Sequence, residues 1–195
     1  MKYKLSEKHP TENLYRVVAL KDFGDVRRGD VGGWVESETN LSQEGNCWVF
    51  GKAQVFNDAR ISENAQVSGS ARVFNDAQVF NDARVSGNSE VFNEARVYGN
   101  ARVFDNAQVY GDATVFGNAQ VFEDARVCEN VQVYGNARVC ENVQVYGNAC
   151  VSDNAQVYGN AQVSGNTYVT GNVRVYGDAQ VSGSACVTGN ALVYG

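Results

Sequence analysis

Apolar and polar positions alternate along this chain in a unit of six that repeats from Cys47 to Gly195. At every sixth residue from 49 to 193, Val fills 24 of 25 positions and Ile61 fills the other. Two residues before each stands a small residue, Ala in 19 of 25 cases. Two and three residues after each comes a turn pair such as Gly99-Asn100, Asn75-Asp76 or Glu129-Asn130. In the unit Ala101-Arg102-Val103-Phe104-Asp105-Asn106 the first four residues have the period-two pattern of a strand with one buried face. Ala101 and Val103 are expected to point in, Arg102 and Phe104 out. The last two are turn formers, since Gly and Asn adopt positive φ at low cost.

A four-residue strand cannot bury its face alone, so the units must stack on one another. Six residues per side closes most simply as a triangle, with three units in each coil and coils roughly 4.8 Å apart. The pattern therefore predicts an all-β fold. Residues 46–195 form a single-stranded parallel β-helix, a triangular solenoid of about eight coils. Residues 125–136 repeat without change as 137–148, a duplication of two units that suggests added length costs the fold little.

Residues 1–45 do not keep the repeat and are expected to form an N-terminal lead-in and small β cap. Leu14 to Leu20 reads as a short apolar strand. Turn signals follow at Gly24-Asp25, Arg28-Gly29-Asp30 and Gly32-Gly33, and Leu41 to Asn46 reads as a worn first unit. An end coil exposes backbone groups and apolar interior, so a cap is expected there, with Trp34 as a lid on the core. At the other end, the coil carrying Tyr176, Val187, Ala191, Leu192, Val193 and Tyr194 has no cap. Those six residues are the expected interface of an end-to-end homodimer.

The repeat resembles that of the hexapeptide-repeat family, and the resemblance covers about three quarters of the chain. It implies a left-handed parallel β-helix, a hand that the general rule for parallel crossovers would not give. A right-handed β-helix of the bactofilin type is the alternative. The leading segment is similar to that of certain bacterial and prophage members of unknown function. The family also implies acyltransferase activity, usually through a His on or near a coil and a loop that bulges from the helix. This chain departs on both counts: its one His, His9, precedes the cap, and its repeat has no insertion.

Charge and composition narrow the reading further. The net charge is −6, with Arg mostly on the flat faces and acids mostly at the corners. Arg is usually interleaved with Gln, as in Gln120-Arg138-Gln156-Arg174, which avoids like charges on adjacent strands. No continuous basic stripe exists to hold a nucleic acid. The N-terminus has no apolar core of a signal peptide, and no apolar run approaches the length of a membrane span. Five Cys, an odd number with no two opposed on adjacent coils, suggest reduced thiols and a cytoplasmic protein. Cys128 and Cys140 face outward, but no neighbour in the sequence would lower their pKa, and no base stands near them.

The most patterned surface is one corner and its adjoining face. A step of eighteen collects Asp58, Asp76, Glu94 and Asp112 into an acidic ladder, and Phe56, Phe74, Phe92 and Tyr110 into an aromatic ladder beside it. Further aromatic columns run Phe80, Tyr98, Phe116, Tyr134 and Tyr158, Tyr176, Tyr194. Stacked aromatics stabilise neighbouring strands, and exposed aromatics also mark protein interfaces. One carboxylate per coil falls short of the six to eight oxygens that calcium takes. The sequence thus points to a non-catalytic scaffold that binds a protein partner through these eight residues. It singles out no catalytic, cofactor or metal residues. A divergent acyltransferase and an acidic nucleic-acid mimic, of the kind a phage could encode, are the alternatives.

Overall fold

The computed structural model describes residues 1–195. Its solenoid has three walls of parallel strands, mostly two residues long, in sheets of eleven, nine and eight members, the largest of which also takes in two antiparallel strands of the leading segment. Successive coils meet in register: Val55 pairs with Val73, Val85 with Val103 and Val97 with Val115. The hexad is therefore one side of the prism, and Val stacks on Val along the axis. The column valines from Val49 to Val175 are fully buried, as are most of the Ala residues two positions before them. The chain is an all-β parallel solenoid consistent with the left-handed hexapeptide-repeat form.

Each corner turns on its first residue. Asn57, Asn75 and Asn93 have φ of 55°, 59° and 59°, and Gly takes the same place at 69 and 87. Glu63, Glu123, Glu129 and Glu141 also sit there at φ of 58° to 64°, so the side-by-side stacking holds even a longer side chain in a conformation that Asn and Gly favour. Where Ser89 and Thr167 replace Ala inside, each hydroxyl donates to the carbonyl three residues back, at 2.8 and 2.6 Å. That pairing removes the cost of a polar group in the core.

The parallel stack begins before the repeat is visible in the sequence. Strand β1 (Tyr3–Lys8) and strand β2 (Tyr15–Ala19) pair antiparallel, and β2 pairs antiparallel with β3 (Val31–Val35). Strand β3 then joins the first wall in parallel, Val35 opposite Val55, and Leu41 bridges to Ile61. Both are steps of 20, whereas Val49 meets Val67 at a step of 18. The two extra residues fall between Leu41 and Val49. With this early coil the first wall carries nine parallel rungs, one more than the hexads alone predict. Gly33 stands at the inner corner of this coil. A Cβ there would lie 2.6 Å from the Ala53 carbonyl oxygen and from a Val49 methyl.

Trp34 does not lid the interior. It lies next to inward-facing Val35 on β3, with the Arg16 guanidinium 4.1 Å from its ring and His9 edge-on at 4.7 Å. Tyr3 and Phe23 of the leading segment instead pack edge to face on Trp48, at 6.1 and 5.4 Å, and bury it against the wall. No helix is long and apolar enough to cross a membrane.

Candidate functional site

The ladders read from the sequence are brought together by the coil. Phe56, Phe74, Phe92 and Tyr110 stack with centroids 5.0, 4.9 and 4.8 Å apart and planes within 4° of parallel. Each follows a buried column Val, so the strand alternation turns it outward while the coil spacing sets the stacking distance. Beside them, Asn57 donates to Asn75 and Asn75 to Asn93, both at 2.9 Å. The positive-φ corner then turns the next residue away from the body, which leaves Asp58, Asp76, Glu94 and Asp112 exposed.

These four carboxylates line one side of a surface groove of about 1000 Å³. Glu36 and Asn13 of the leading segment form its near end, and no cationic or apolar residue lines it. Glu36 was not singled out by the sequence. It sits beneath Phe56 in the first coil, where the longer step displaces it from the eighteen-residue count, and its carboxylate accepts from the Asn57 amide at 2.6 Å. The nearest guanidinium on the adjoining face is already engaged: Arg72 lies 5.3 and 5.2 Å from the rings of Phe56 and Phe74 and pairs with Glu90 at 3.2 Å. The groove's negative charge is thus uncompensated from within.

The other columns also form. Phe80, Tyr98, Phe116 and Tyr134 stack at 4.8 to 5.1 Å, and Tyr158, Tyr176 and Tyr194 at 5.3 and 5.8 Å. On the last coil Leu192 and Tyr194 are 60% and 73% exposed, and Val187, Ala191 and Val193 are only partly buried.

His9 is half-buried against Trp34, and its Nδ1 accepts from the amides of Thr11 and Glu12 at 3.4 and 3.2 Å. All five thiols are free. Burial raises the Cys128 thiol. Burial first, then Glu123 and Glu141, pushes Cys140 up to about 11. The ligand atoms of Glu123, Cys140 and Glu141 lie within 4.8 Å of one another. The sequence singled out no metal ligands, and this set escapes a linear reading because Glu123 belongs to the coil below.

The sequence profile of the YdcK β-solenoid repeat matches residues 53–69, 95–109, 107–123, 131–147, 143–159 and 155–170. The chain is also 48% identical over 52 residues to a protein of Escherichia coli (strain K12) described as an uncharacterized acetyltransferase, YdcK. That match covers 26% of this chain and 16% of the relative.

Proposed function

Starting from a hexapeptide-repeat β-solenoid with repeats of the YdcK kind, we propose that this chain is a rigid, non-catalytic scaffold that holds a basic segment of a protein partner. The observation that carries this reading is the groove lined by Asp58, Asp76, Glu94 and Asp112 without one cation among its walls. A Lys- or Arg-bearing segment would supply the missing charge there. Its apolar stems would lie along the outer edges of the stacked rings of Phe56, Phe74, Phe92 and Tyr110, where methylenes find favourable contact. The solenoid contributes stiffness: a surface fixed by paired coils loses little entropy on binding. The five free thiols support a cytoplasmic setting.

The test is fluorescence anisotropy with a labelled Lys/Arg-rich peptide across a salt series. Binding that weakens with salt, and falls at least about tenfold when Asp58, Asp76, Glu94 and Asp112 become Asn or Gln, supports the reading. Equal binding by wild type and the quadruple variant would overturn it.

The coil that ends in Leu192 and Tyr194 supports a second part of the proposal, a homodimer joined through Tyr176, Val187, Ala191, Leu192, Val193 and Tyr194. Exposed apolar side chains such as Leu192 and Tyr194 are what such a joint would cover. Light scattering should give twice the chain mass at micromolar concentration, and Leu192→Lys should return the monomer mass.

The name carried by the Escherichia coli relative motivates a second reading, an acetyltransferase. Acetyl-CoA binding would be its first requirement. A rise in melting temperature with acetyl-CoA would favour this reading over the scaffold.

A further inference from the structure

A second site lies on a different wall, where an aromatic column is interrupted. Phe104 and Phe122 stack at 4.8 Å with planes 1° apart. The far face of Phe122 is covered by the Arg138 guanidinium at 5.2 Å. The near side of Phe104 faces Ser86 on the coil below, and Ser68 lies on the coil below that, so the places of two rings hold only small side chains.

Beside this gap stand Arg84 and Arg102, in direct register on adjacent strands. They are the one such pair in the solenoid. Every other Arg on the walls has a different residue on each neighbouring strand, as Arg138 has Gln120 and Gln156. Like charges one strand apart repel. Neither guanidinium is relieved by an ion pair or rests over a ring, whereas Arg72 does both and Arg138 the second. Arg84, Ser86, Arg102 and Phe104 alone line a hollow of about 280 Å³. It adjoins another of about 240 Å³ that shares Arg84 and reaches Phe50. Asp25 and Asp82 line that second hollow but form no ion pair with Arg84.

We propose that this notch binds a small planar aromatic anion, with its ring on Phe104 above Ser86 and its phosphate or carboxylate between Arg84 and Arg102. The ring takes the place that the missing column member would occupy, at ordinary stacking distance. The anion converts a repulsive pair of planar cations into a two-armed clamp, the geometry guanidinium groups suit best. The site is independent of the acidic groove, which lies at another corner.

Calorimetric titration of the 195-residue protein tests it, with phenyl phosphate, benzoate, inorganic phosphate and phenol as probes. Phenyl phosphate and benzoate should bind one to one. Inorganic phosphate, which lacks the ring, and phenol, which lacks the anionic group at neutral pH, should each bind at least about tenfold more weakly. Arg84→Gln and Arg102→Gln should each weaken phenyl phosphate about tenfold, the usual size for loss of a charge-assisted bond. Gln stands on equivalent rungs elsewhere, so both variants should fold. Ser86→Phe should continue the aromatic column and abolish binding. Phenyl phosphate and inorganic phosphate binding alike, unchanged binding in Ser86→Phe, or no aromatic anion bound at millimolar concentration would each overturn the proposal.

Discussion

The Tyr3 hydroxyl donates to the Leu41 carbonyl oxygen at 2.5 Å, the place that the Ser42 amide fills for the Ile61 carbonyl one coil up. The same substitution of side chain for backbone recurs around the first coil. Lys2 Nζ donates to Cys47 O at 3.0 Å, where Trp48 N serves Ala65 O above. Arg16 Nη1 donates to Gly51 O at 2.6 Å, where Lys52 N serves Gly69 O. The leading strands thus close the solenoid with side-chain donors arranged like the amides of a coil. Tyr3→Phe should therefore leave a buried carbonyl unpaired and destabilise the protein by about 1–3 kcal/mol in chemical denaturation. An effect near zero would show that this hydroxyl contributes nothing to holding the cap.

Alkaline stability should depend on the same residue. Burial, with Glu38 and Cys47 adding to it, holds the Tyr3 hydroxyl well above its ordinary value of 10.0. A raised pKa in the fold means that the unfolded chain loses its proton first. Stability from Tyr3 is complete below about pH 10 and declines above it. Lys2 works in the other direction. Its ammonium is lowered chiefly by burial, so its share rises with pH below the ordinary lysine value. Unfolding free energy measured from about pH 9 to pH 11.5 should fall less steeply in Tyr3→Phe than in the wild type.

Cys140 should be a slow nucleophile. With its thiol pushed up to about 11 by burial, Glu123 and Glu141, the thiolate is scarce at neutral pH, and the thiolate is the reacting form. Alkylation of Cys140 by iodoacetamide, followed by peptide mass spectrometry, should still climb about tenfold per pH unit between about pH 8 and pH 10. Glu123→Gln with Glu141→Gln should move that climb to lower pH. A plateau below about pH 9 in the wild type would contradict the assignment.

The corner asparagines carry a ladder of their own. Asn100, Asn118, Asn136, Asn154, Asn172 and Asn190 form one continuous column, each side-chain amide donating to the next at 3.0 to 3.2 Å until the last step at 2.9 Å. Such ladders stabilise in-register stacks because every carboxamide serves as donor and acceptor at once. Asn136→Ala breaks two rungs and should cost about 0.5–1 kcal/mol per exposed bond lost. Asn136→Asp removes only the donor to Asn154 and should cost less at neutral pH, a difference readable by urea titration.

What the sequence displayed and what it hid divide along physical lines. The Val and Ala columns were legible because core-facing positions on a repeating strand recur at a fixed step, and the Phe56 and Asp58 ladders follow from counting eighteen. Val35 was hidden as a first-coil residue because two extra residues between Leu41 and Val49 break the count, whereas Leu41 was legible as the start of a worn unit. Lys2, Tyr3 and Arg16 were hidden because a side chain reaching a distant carbonyl leaves no periodic trace. Glu36 was missed for the first reason. Trp34 was misplaced because an aromatic residue near an end looks like a lid, whereas its position beside Val35 turns it outward. The Arg84–Arg102 pair was available to the same eighteen-residue step, but its significance needs the empty ring positions at Ser68 and Ser86.

The identity of 125–136 with 137–148 suggests a final test of how the stack is specified. Because every side of the prism uses the same Val and Ala pattern, removing 137–148 takes out two whole sides and leaves each later Val on the axis. The corner ladders would change partners, since the segment after the deletion rotates by two faces. Asn154 would leave its place above Asn136 and take that of Asn142, over Asp124, and Asn166 would come to stand above Asn136. Each corner thus still meets a carboxamide, so the side-chain ladder can re-form. Such a variant should fold cooperatively, with a β-type circular dichroism spectrum. Deleting only 137–145 removes one and a half sides, turns the later valines toward solvent and should unfold the C-terminal coils. If the shorter deletion kept the same protected amides in hydrogen exchange as the longer one, the stack would be indifferent to the hexad, and the Val column could not be what sets its register.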